Sequence, residues 1–197
     1  IDFVNIKPEK FDEPLGLSSG AGAIFGVTGG VMEAAIRTAC ELYTGETLID
    51  IELTDIRGFK GVKEAKVMLD GQELRLAVAH GLGNAHQVLE MVRKDRSRFH
   101  FVEVMGCPGG CIGGGGQPYA LVNSIPLDEE CLKLRAQALY GLDREKTIRR
   151  SHENPDVQRL YKEFLGRPLS EKSHELLHTH YKAHLPKGIV SPNLKVV

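Results

Sequence analysis

This chain has 197 residues, a formal net charge of −1 and a hydrophobic content of 42%, which is the composition of an ordinary globular protein. The near-neutral charge gives no electrostatic basis for binding nucleic acid or a membrane surface, and no apolar run approaches the ~20 residues of a membrane-spanning helix. Four cysteines are too few for a disulfide scaffold in a chain of this length.

The first half of the chain is predicted to contain a helix and a β-hairpin. Apolar residues recur at helical spacing over residues 31–43, and Gly45 marks the end of that helix. Residues 61–69 and 72–79 both alternate between apolar and polar side chains. Because the intervening Asp-Gly pair is a strong hairpin signal, these two strands are expected to pair.

A glycine-rich loop with two cysteines is predicted to follow the next strand. Asn84 can cap a helix that reaches about residue 94, and residues 99–104 have the pattern of a strand. Residues 106–118 come directly after it, with the sequence Gly-Cys-Pro-Gly-Gly-Cys-Ile-Gly-Gly-Gly-Gly-Gln-Pro. Binding loops of open α/β sheets lie at the carboxyl ends of strands, so this position suits a ligand site.

The remainder of the chain is predicted to be helical. Glycine and proline punctuation separates helices at residues 128–140, 154–165 and 170–183, in a region rich in charged residues and histidine. The sequence therefore predicts an α/β fold followed by a helical C-terminal tail.

Cys107 and Cys111 are the candidate metal ligands. Thiolate sulfur is the usual protein ligand of iron-sulfur clusters, and glycines let the backbone approach an inorganic body closely. A Cys-x3-Cys pair is a weak signal by itself. With Met105 before it and Gly-Gly-Gly-Gln-Pro after it, however, the loop resembles the last of three signature loops of the iron-iron hydrogenases.

Two further blocks resemble the same family in the same order. Residues 14–16 and 19–39 resemble the loop and helix start that walls its hydrogen-activating cluster, and residues 169–181 resemble its small-subunit segment, which some members carry as a separate chain. The resemblance implies the C-terminal half of the catalytic domain over residues 1–125, with a twisted, mostly parallel sheet flanked by helices and a β-hairpin. It implies a helical region over residues 126–197 that ends in a peripheral, small-subunit-like belt.

The resemblance also implies a cofactor and its site. Cys107 would bind one iron of a four-iron cluster, and Cys111 would bind another and bridge to a two-iron subsite with carbon monoxide, cyanide and dithiolate ligands. Together these form the H-cluster. The pocket around it would be lined by Phe25, Gly26, Met105 and Gly110. The alternative is ordinary core packing for Phe25 and Met105 and a tight turn for Gly26.

Half of the implied ligand set is missing. In the family, the two other cysteine ligands come from earlier loops of the Thr-Ser-Cys-Cys-Pro and Met-Pro-Cys types, and neither loop occurs in this sequence. Since the chain also starts at Ile1 within an apolar-polar run, we expect a C-terminal fragment that needs the rest of its subunit and is inactive alone. By analogy, ferredoxin or an NAD(P)-linked subunit would supply electrons for the reversible conversion of protons to hydrogen. Reduced thiols favour the cytoplasm.

The other cysteines and the histidines are weaker candidates for metal ligands. Cys40 and Cys131 fall among apolar residues of predicted helices and are expected to be packing residues. His174 and His178, with Glu175, satisfy a short zinc-protease pattern, but no third ligand is evident after His184 and the stretch matches the hydrogenase tail. Zinc binding by the tail is therefore the minority interpretation.

Two other functional classes stay open. One is a non-catalytic iron-sulfur relative of the same superfamily, such as an assembly protein or a prelamin-recognition protein, in which the Gly-Gly-Gly-Gln-Pro segment is degraded; here it is intact. The other is a sensory hydrogenase-like module, which differs from catalytic members in the loops absent here.

Overall fold

The computed structural model describes residues 2–9, 12, 15, 17–46, 52–119 and 127–181. The chain divides into two compact units, residues 1–157 and residues 158–197, and each is described by itself.

The helices and strands of the described residues follow one another in this order: α1 (Gly20–Ile24), α2 (Gly30–Thr44), β1 (Val62–Leu69), β2 (Gln72–His80), α3 (Leu82–Lys94), β3 (Phe101–Met105), α4 (Glu129–Glu145), α5 (Pro155–Leu160) and α6 (Glu171–Leu177). Short 3-10 turns occur at Phe3–Asn5, Thr54–Ile56, Cys111–Gly113 and Ser151–Glu153, and a π-helical turn, Tyr161–Leu165, continues α5. The predicted α/β class is confirmed.

The described sheet has three strands in the order β1-β2-β3 and is mixed. β1 and β2 are antiparallel, with Val62 opposite Ala79 and Leu69 opposite Gln72, which confirms the predicted hairpin. Its turn residues Asp70 and Gly71 have φ values of 47° and 77°, as a two-residue hairpin of the primed type requires. β2 and β3 are parallel and joined by α3, so the described strands include one antiparallel and one parallel pair.

The central strand β2 is covered on both faces. Leu76 and Val78 pack with Met32 and Ile36 of α2, while Ala77 and Ala79 on the opposite face pack with Val88 of α3. Successive side chains of a strand point to opposite faces, so a strand buried on both sides must be continuously apolar, as Leu-Ala-Val-Ala is. A separate cluster joins α1, the cysteine loop and α4 through the residues Ala21, Ile24, Val27, Ala34, Ile112, Leu132, Ala136 and Tyr140.

Two predicted boundaries near the loop are wrong by two or three residues. α3 begins at Leu82 and is capped by Gly81, whose φ of 79° lets the chain turn directly from strand to helix. Asn84 lies inside the helix, where its side-chain amide donates to the carbonyl of His80 at 2.8 Å. β3 begins at Phe101 rather than at Phe99, which packs against the α3 side of the sheet.

Two predicted helix ends are also wrong. α4 continues through Gly141 to Glu145, although glycine disfavours a helix interior by about 1 kcal/mol, because Asp143 in its last turn is buried in ion pairs. α6 ends at Leu177 instead of Ala183, and residues 178–181 are not helical. Residues 182 and 183 lie outside the described part of the chain.

Candidate iron-sulfur site

The cysteine loop leaves the sheet at the carboxyl end of β3, as the sequence predicts. After Met105 the chain makes a tight turn in which the amide of Gly110 donates to the carbonyl of Cys107 at 3.0 Å. Gly109 and Gly110 have φ values of 78° and 96°, which side-chain-bearing residues rarely adopt. A 3-10 turn starting at Cys111 follows, closed by the amide of Gly114 donating to the carbonyl of Cys111 at 3.0 Å.

His80, the last residue of β2, holds the middle of this loop. Its Nδ1 accepts a hydrogen bond from the amide of Gly109 at 3.0 Å, and its Nε2 lies 3.1 Å from the carbonyl oxygen of Phe59. An amide can only donate and a carbonyl can only accept, so the two contacts together require a neutral ring with its proton on Nε2. His80, which is only 7% exposed, thereby fixes the position of Gly109, midway between the two cysteines.

A second loop, between α1 and α2, lies against the first. The amide of Thr28 donates to the carbonyl of Gly109 at 3.0 Å, and the amide of Ile112 donates to the carbonyl of Gly26 at 3.1 Å. A side chain at Gly110 would place its first carbon 2.8 Å from the Sδ of Met105, the carbonyl oxygen of Gly26 and the amide nitrogen of Thr28. The structure thus brings three of the four predicted pocket residues around one point.

The fourth predicted pocket residue, Phe25, precedes Gly26 in the same loop and is 45% exposed. An aromatic ring with almost half its surface in water is not a core residue of the described chain.

Glu103 and Lys63 hold the second loop through hydrogen bonds to its backbone. The buried carboxylate of Glu103 accepts the amides of Gly29 at 2.6 Å and Met32 at 2.7 Å, which are otherwise unsatisfied donors at the start of α2. The amine of Lys63 donates to the carbonyls of Gly58 at 2.8 Å and Thr28 at 3.2 Å. Burial lowers the pKa of Lys63 to about 8, although the charge of Glu103 opposes this shift.

The two loop thiols fit half of a four-iron cluster. Cys107 and Cys111 are both exposed, whereas Cys40 is buried in the core on the α2 side of the sheet and Cys131 is half-buried in the first turn of α4. Burial raises the pKa of Cys40, which disfavours the thiolate that metal binding needs. Two exposed thiols on a glycine-rich turn match the donor chemistry of the cluster, and four ligands are the usual requirement.

The tail histidines form a pair without a third ligand in the described residues. The Nδ1 atom of His174, in α6, lies 2.7 Å from that of His178, the residue that follows the helix, and the two rings are perpendicular. No group of three or more histidine, cysteine or acidic side chains in the described ranges is placed to hold a metal ion. His180 follows the end of α6, and His184 lies outside the described residues.

A cavity of about 640 Å³ lies away from the loop, at the opposite end of the sheet. Its charged lining residues are largely paired with one another or with backbone carbonyls, as in the Arg98–Glu64 ion pair at 3.2 Å and the hydrogen bond from Arg75 to the carbonyl of Ser97 at 2.7 Å. None of the helices in the described part of the chain is long and apolar enough to cross a membrane.

Sequence reasoning did not identify the residues that hold the loop in place. His80 and Glu103 do leave a signal, because each is a polar residue in an otherwise apolar strand segment and needs a buried partner. Lys63 leaves none, since a charged residue is ordinary in an alternating strand.

Comparisons with protein families match two successive parts of the chain. Residues 1–115 match the model described as "Iron only hydrogenase large subunit, C-terminal domain", and residues 128–184 match "Iron hydrogenase small subunit". Among the solved structures, a variant of the [FeFe]-hydrogenase HydA1 from Chlamydomonas reinhardtii is similar to the chain with a TM-score of 0.66 and 41% identity, over 92% of this chain and 51% of that one.

Curated relatives extend the comparison. The "NADP-reducing hydrogenase subunit HndD" of Solidesulfovibrio fructosivorans is 58% identical over 92% of this chain and 30% of its own length. The "Periplasmic [Fe] hydrogenase large subunit" of Nitratidesulfovibrio vulgaris is 47% identical over 60% of this chain and 28% of its own length. The "Cytosolic iron-sulfur assembly component 3" of Rattus norvegicus is 33% identical over 80% of this chain and 32% of its own length.

The chain spans about a third of the length of these curated relatives. The family model covers more than half of the chain, includes both loop cysteines, and agrees with the similarity to a solved hydrogenase. The chain therefore belongs to the family of the C-terminal domain of iron-only hydrogenase large subunits, followed by a segment of the iron-hydrogenase small-subunit family.

Proposed function

We propose that this chain acts as the C-terminal part of the catalytic subunit of an iron-iron hydrogenase, an oxidoreductase, and supplies two of the cysteine ligands of its H-cluster. The observation that supports this most directly is the pair of exposed thiols of Cys107 and Cys111, on a glycine-rich loop at the carboxyl end of β3. The remaining ligands would come from the part of the subunit that the longer relatives have and this chain does not.

In this proposal the cluster supplies the electron and hydrogen chemistry that interconverts two protons and two electrons with dihydrogen. The thiolates of Cys107 and Cys111 would hold it on the glycine-rich loop. No other described side chain at the loop has the chemistry of a soft ligand except Met105, whose thioether packs beside the turn. We assign no proton-transferring residue in this chain.

The surroundings of the loop would tune the site and limit the access of water. Gly110 lets the cysteine turn approach Gly26 and Met105 without a side chain between them. Phe25, exposed in this chain, would be covered by the rest of the subunit or by the cluster. An apolar wall of this kind lowers the local dielectric and shifts the potential of a bound cluster.

The partners and the compartment follow from the same proposal. The obligatory partner is the N-terminal part of the catalytic subunit, without which the chain is inactive, and electrons come from ferredoxin or from an NAD(P)-linked protein, as the name of the NADP-reducing relative suggests. We also propose a cytoplasmic location. The similarity to the NADP-reducing relative covers 92% of this chain, whereas the similarity to the periplasmic relative covers 60% of it.

The experiment that tests this function is anaerobic infrared spectroscopy of the protein purified from its source with every polypeptide that accompanies it. Sharp bands of iron-bound carbon monoxide and cyanide are expected in the wild type. They are expected to persist in Cys131→Ser, which changes a thiol outside the loop, and to vanish in Cys107→Ser and Cys111→Ser, because a serine oxygen is a poor iron-sulfur ligand.

Each contrary outcome has a definite meaning. Persistence of the bands in both loop variants would remove these cysteines from the site. Hydrogen evolution by the 197-residue chain alone would contradict the need for a further subunit part.

A second function is favoured by one observation, the similarity to a cytosolic iron-sulfur assembly component over 80% of the chain. Such a protein would keep iron-sulfur ligands without a two-iron subsite. Bound iron and sulfide together with an infrared spectrum free of carbon monoxide and cyanide bands would support this alternative and exclude the hydrogenase.

A further inference from the structure

Helix α4 lies directly against the cysteine loop. It belongs to the segment that matches the small-subunit family, whereas the loop belongs to the segment that matches the large-subunit domain. Leu132 of α4 and Ile112 of the loop are members of one buried cluster. A side chain at Gly109 would meet Leu132 at 3.2 Å, and one at Gly26 would meet Leu139 at 2.9 Å, so the helix leaves little space beside either loop.

Arg135 makes polar contacts between this helix and the loop. Its Nη1 donates to the carbonyl of Ile112 at 2.8 Å, and its Nη2 donates to the carbonyl of Pro118 at 2.6 Å. One guanidinium thus joins the residue after Cys111 to Pro118, two residues beyond the glycine run. Hydrogen bonds from a charged donor are about twice as strong as neutral ones, and the rigid fork of arginine loses little freedom when it makes two of them.

Ile112 is consequently held through both of its backbone polar groups. Its amide donates to the carbonyl of Gly26 at 3.1 Å, and its carbonyl accepts Arg135. A residue fixed through both backbone groups and through a buried side chain leaves its neighbour Cys111 little freedom to move. The glycines that follow contribute no side chains of their own to hold the loop.

We propose that Arg135 is a positioning residue for Cys111, through which the small-subunit-like segment keeps the metal-binding loop in its ligating conformation. This inference rests on the proposed function for the identity of the metal group, but its contacts belong to this chain alone. In an assembly whose two family segments are separate chains, the same contact would cross the subunit interface and make cluster retention depend on the small subunit.

The test is hydrogen-deuterium exchange of the cluster-free 197-residue chain, comparing Arg135→Met with wild type. Methionine keeps an unbranched stem but loses both donors. The backbone amides of residues 106–117, apart from Pro108, are expected to exchange about tenfold faster, which corresponds to about 1.4 kcal/mol. Exchange in the β1–β2 hairpin, Val62 to His80, is expected to stay unchanged.

Matched variants isolate the contact. Lys133→Met removes a charged side chain two residues earlier on the same helix, whose ion pairs are with Glu129 and Glu130, and is expected to leave the loop at the wild-type rate. Arg135→Lys is expected to be intermediate, because a single ammonium does not span two carbonyls as a guanidinium does. Equal acceleration of loop and hairpin in Arg135→Met, or wild-type loop exchange in that variant, would overturn the proposal.

A second readout connects the loop to the metal. After iron and sulfide are supplied in the presence of the rest of the subunit, the half-time of iron loss to a chelator is expected to fall several-fold in Arg135→Met and not in Lys133→Met. If the wild type takes up no cluster, the proposed function fails while the exchange result still decides the role of Arg135. If the wild type is loaded and both variants release iron alike, the positioning role fails alone.

Discussion

At the scale of single residues, the site is built by buried polar side chains that satisfy backbone groups. His80 accepts the amide between the two cysteines, and Glu103 accepts two amides at the start of α2. Lys63 donates to carbonyls of the loop before α2 and of the segment after Ile56. Each bond replaces water at a group that would otherwise be buried without a partner, so these residues hold the loops in one arrangement.

The burial of Lys63 gives the stability of the fold a measurable pH dependence. Its pKa is lowered from 10.5 to about 8 by burial, so between these values the unfolded chain binds a proton that the folded chain has released. The free energy of unfolding of the wild type, relative to Lys63→Met, is therefore expected to rise by about 3 kcal/mol as the pH increases through this window. Urea unfolding of both chains at pH 7.5 and at about pH 10 measures it.

Subtracting the Lys63→Met series cancels the titration of the other lysines and tyrosines. A difference between the two chains that does not change with pH would show that the amine of Lys63 is not desolvated in the folded protein.

At the scale of elements, the cysteine loop depends on glycines for two separate reasons. Gly110 has a φ of 96° and sits where a side chain would meet Met105, Gly26 and Thr28 at 2.8 Å. Gly115, in the same loop, has no atom within 4 Å of the position a side chain would take. Glycines of one loop therefore differ widely in what the structure requires at their positions.

This difference predicts unequal effects of alanine in one loop. Gly110→Ala is expected to lower the free energy of unfolding by about 2–3 kcal/mol, because the substitution combines a strained φ with a steric clash. Gly115→Ala is expected to change it by less than about 0.5 kcal/mol. Denaturant unfolding followed by circular dichroism measures both, and equal effects at the two positions would refute the described conformation of the turn.

At the scale of the whole first unit, buried ion pairs join the two segments that match different families. Arg37 of α2 donates to Asp143 of α4 at 2.8 and 2.9 Å, and Arg149 donates to the same carboxylate at 2.6 Å. Arg37 and Asp143 are both fully buried. Burial alone would raise the pKa of Asp143, but the hydrogen bonds and charges of Arg37 and Arg149 hold it below its usual 3.8.

Asp143→Asn is expected to lower the free energy of unfolding by about 3 kcal/mol, because it leaves buried guanidinium charge without its carboxylate. Since the folded pKa of Asp143 is depressed, the loss is expected in full above about pH 4 and to shrink as the pH falls further. Chemical unfolding at pH 7 and pH 3 measures it. Glu73→Gln, which breaks an exposed pair with Lys66, is the control and is expected to leave the midpoint nearly unchanged; a similar midpoint in both variants would contradict a buried network.

The sequence by itself determined the features whose causes are local. The hairpin follows from the alternation around Asp70 and Gly71, α2 from the helical spacing closed by Gly45, and the family and candidate ligands from the short segment between Met105 and Pro118. Turn geometry, helical periodicity and thiolate chemistry are set by neighbouring residues, so a short stretch of sequence is enough to predict them.

Only the tertiary structure decided what holds the cysteine loop and how the segments meet. His80 reaches Gly109 across 29 residues, and Glu103 reaches Gly29 across 74. Arg135 and Asp143 act on elements of a different family segment, and Asp143 also favours the continuation of α4 past Gly141. The physical reason is that a hydrogen bond between distant residues depends on which faces of the sheet and helices come together, and no short stretch of sequence encodes that contact.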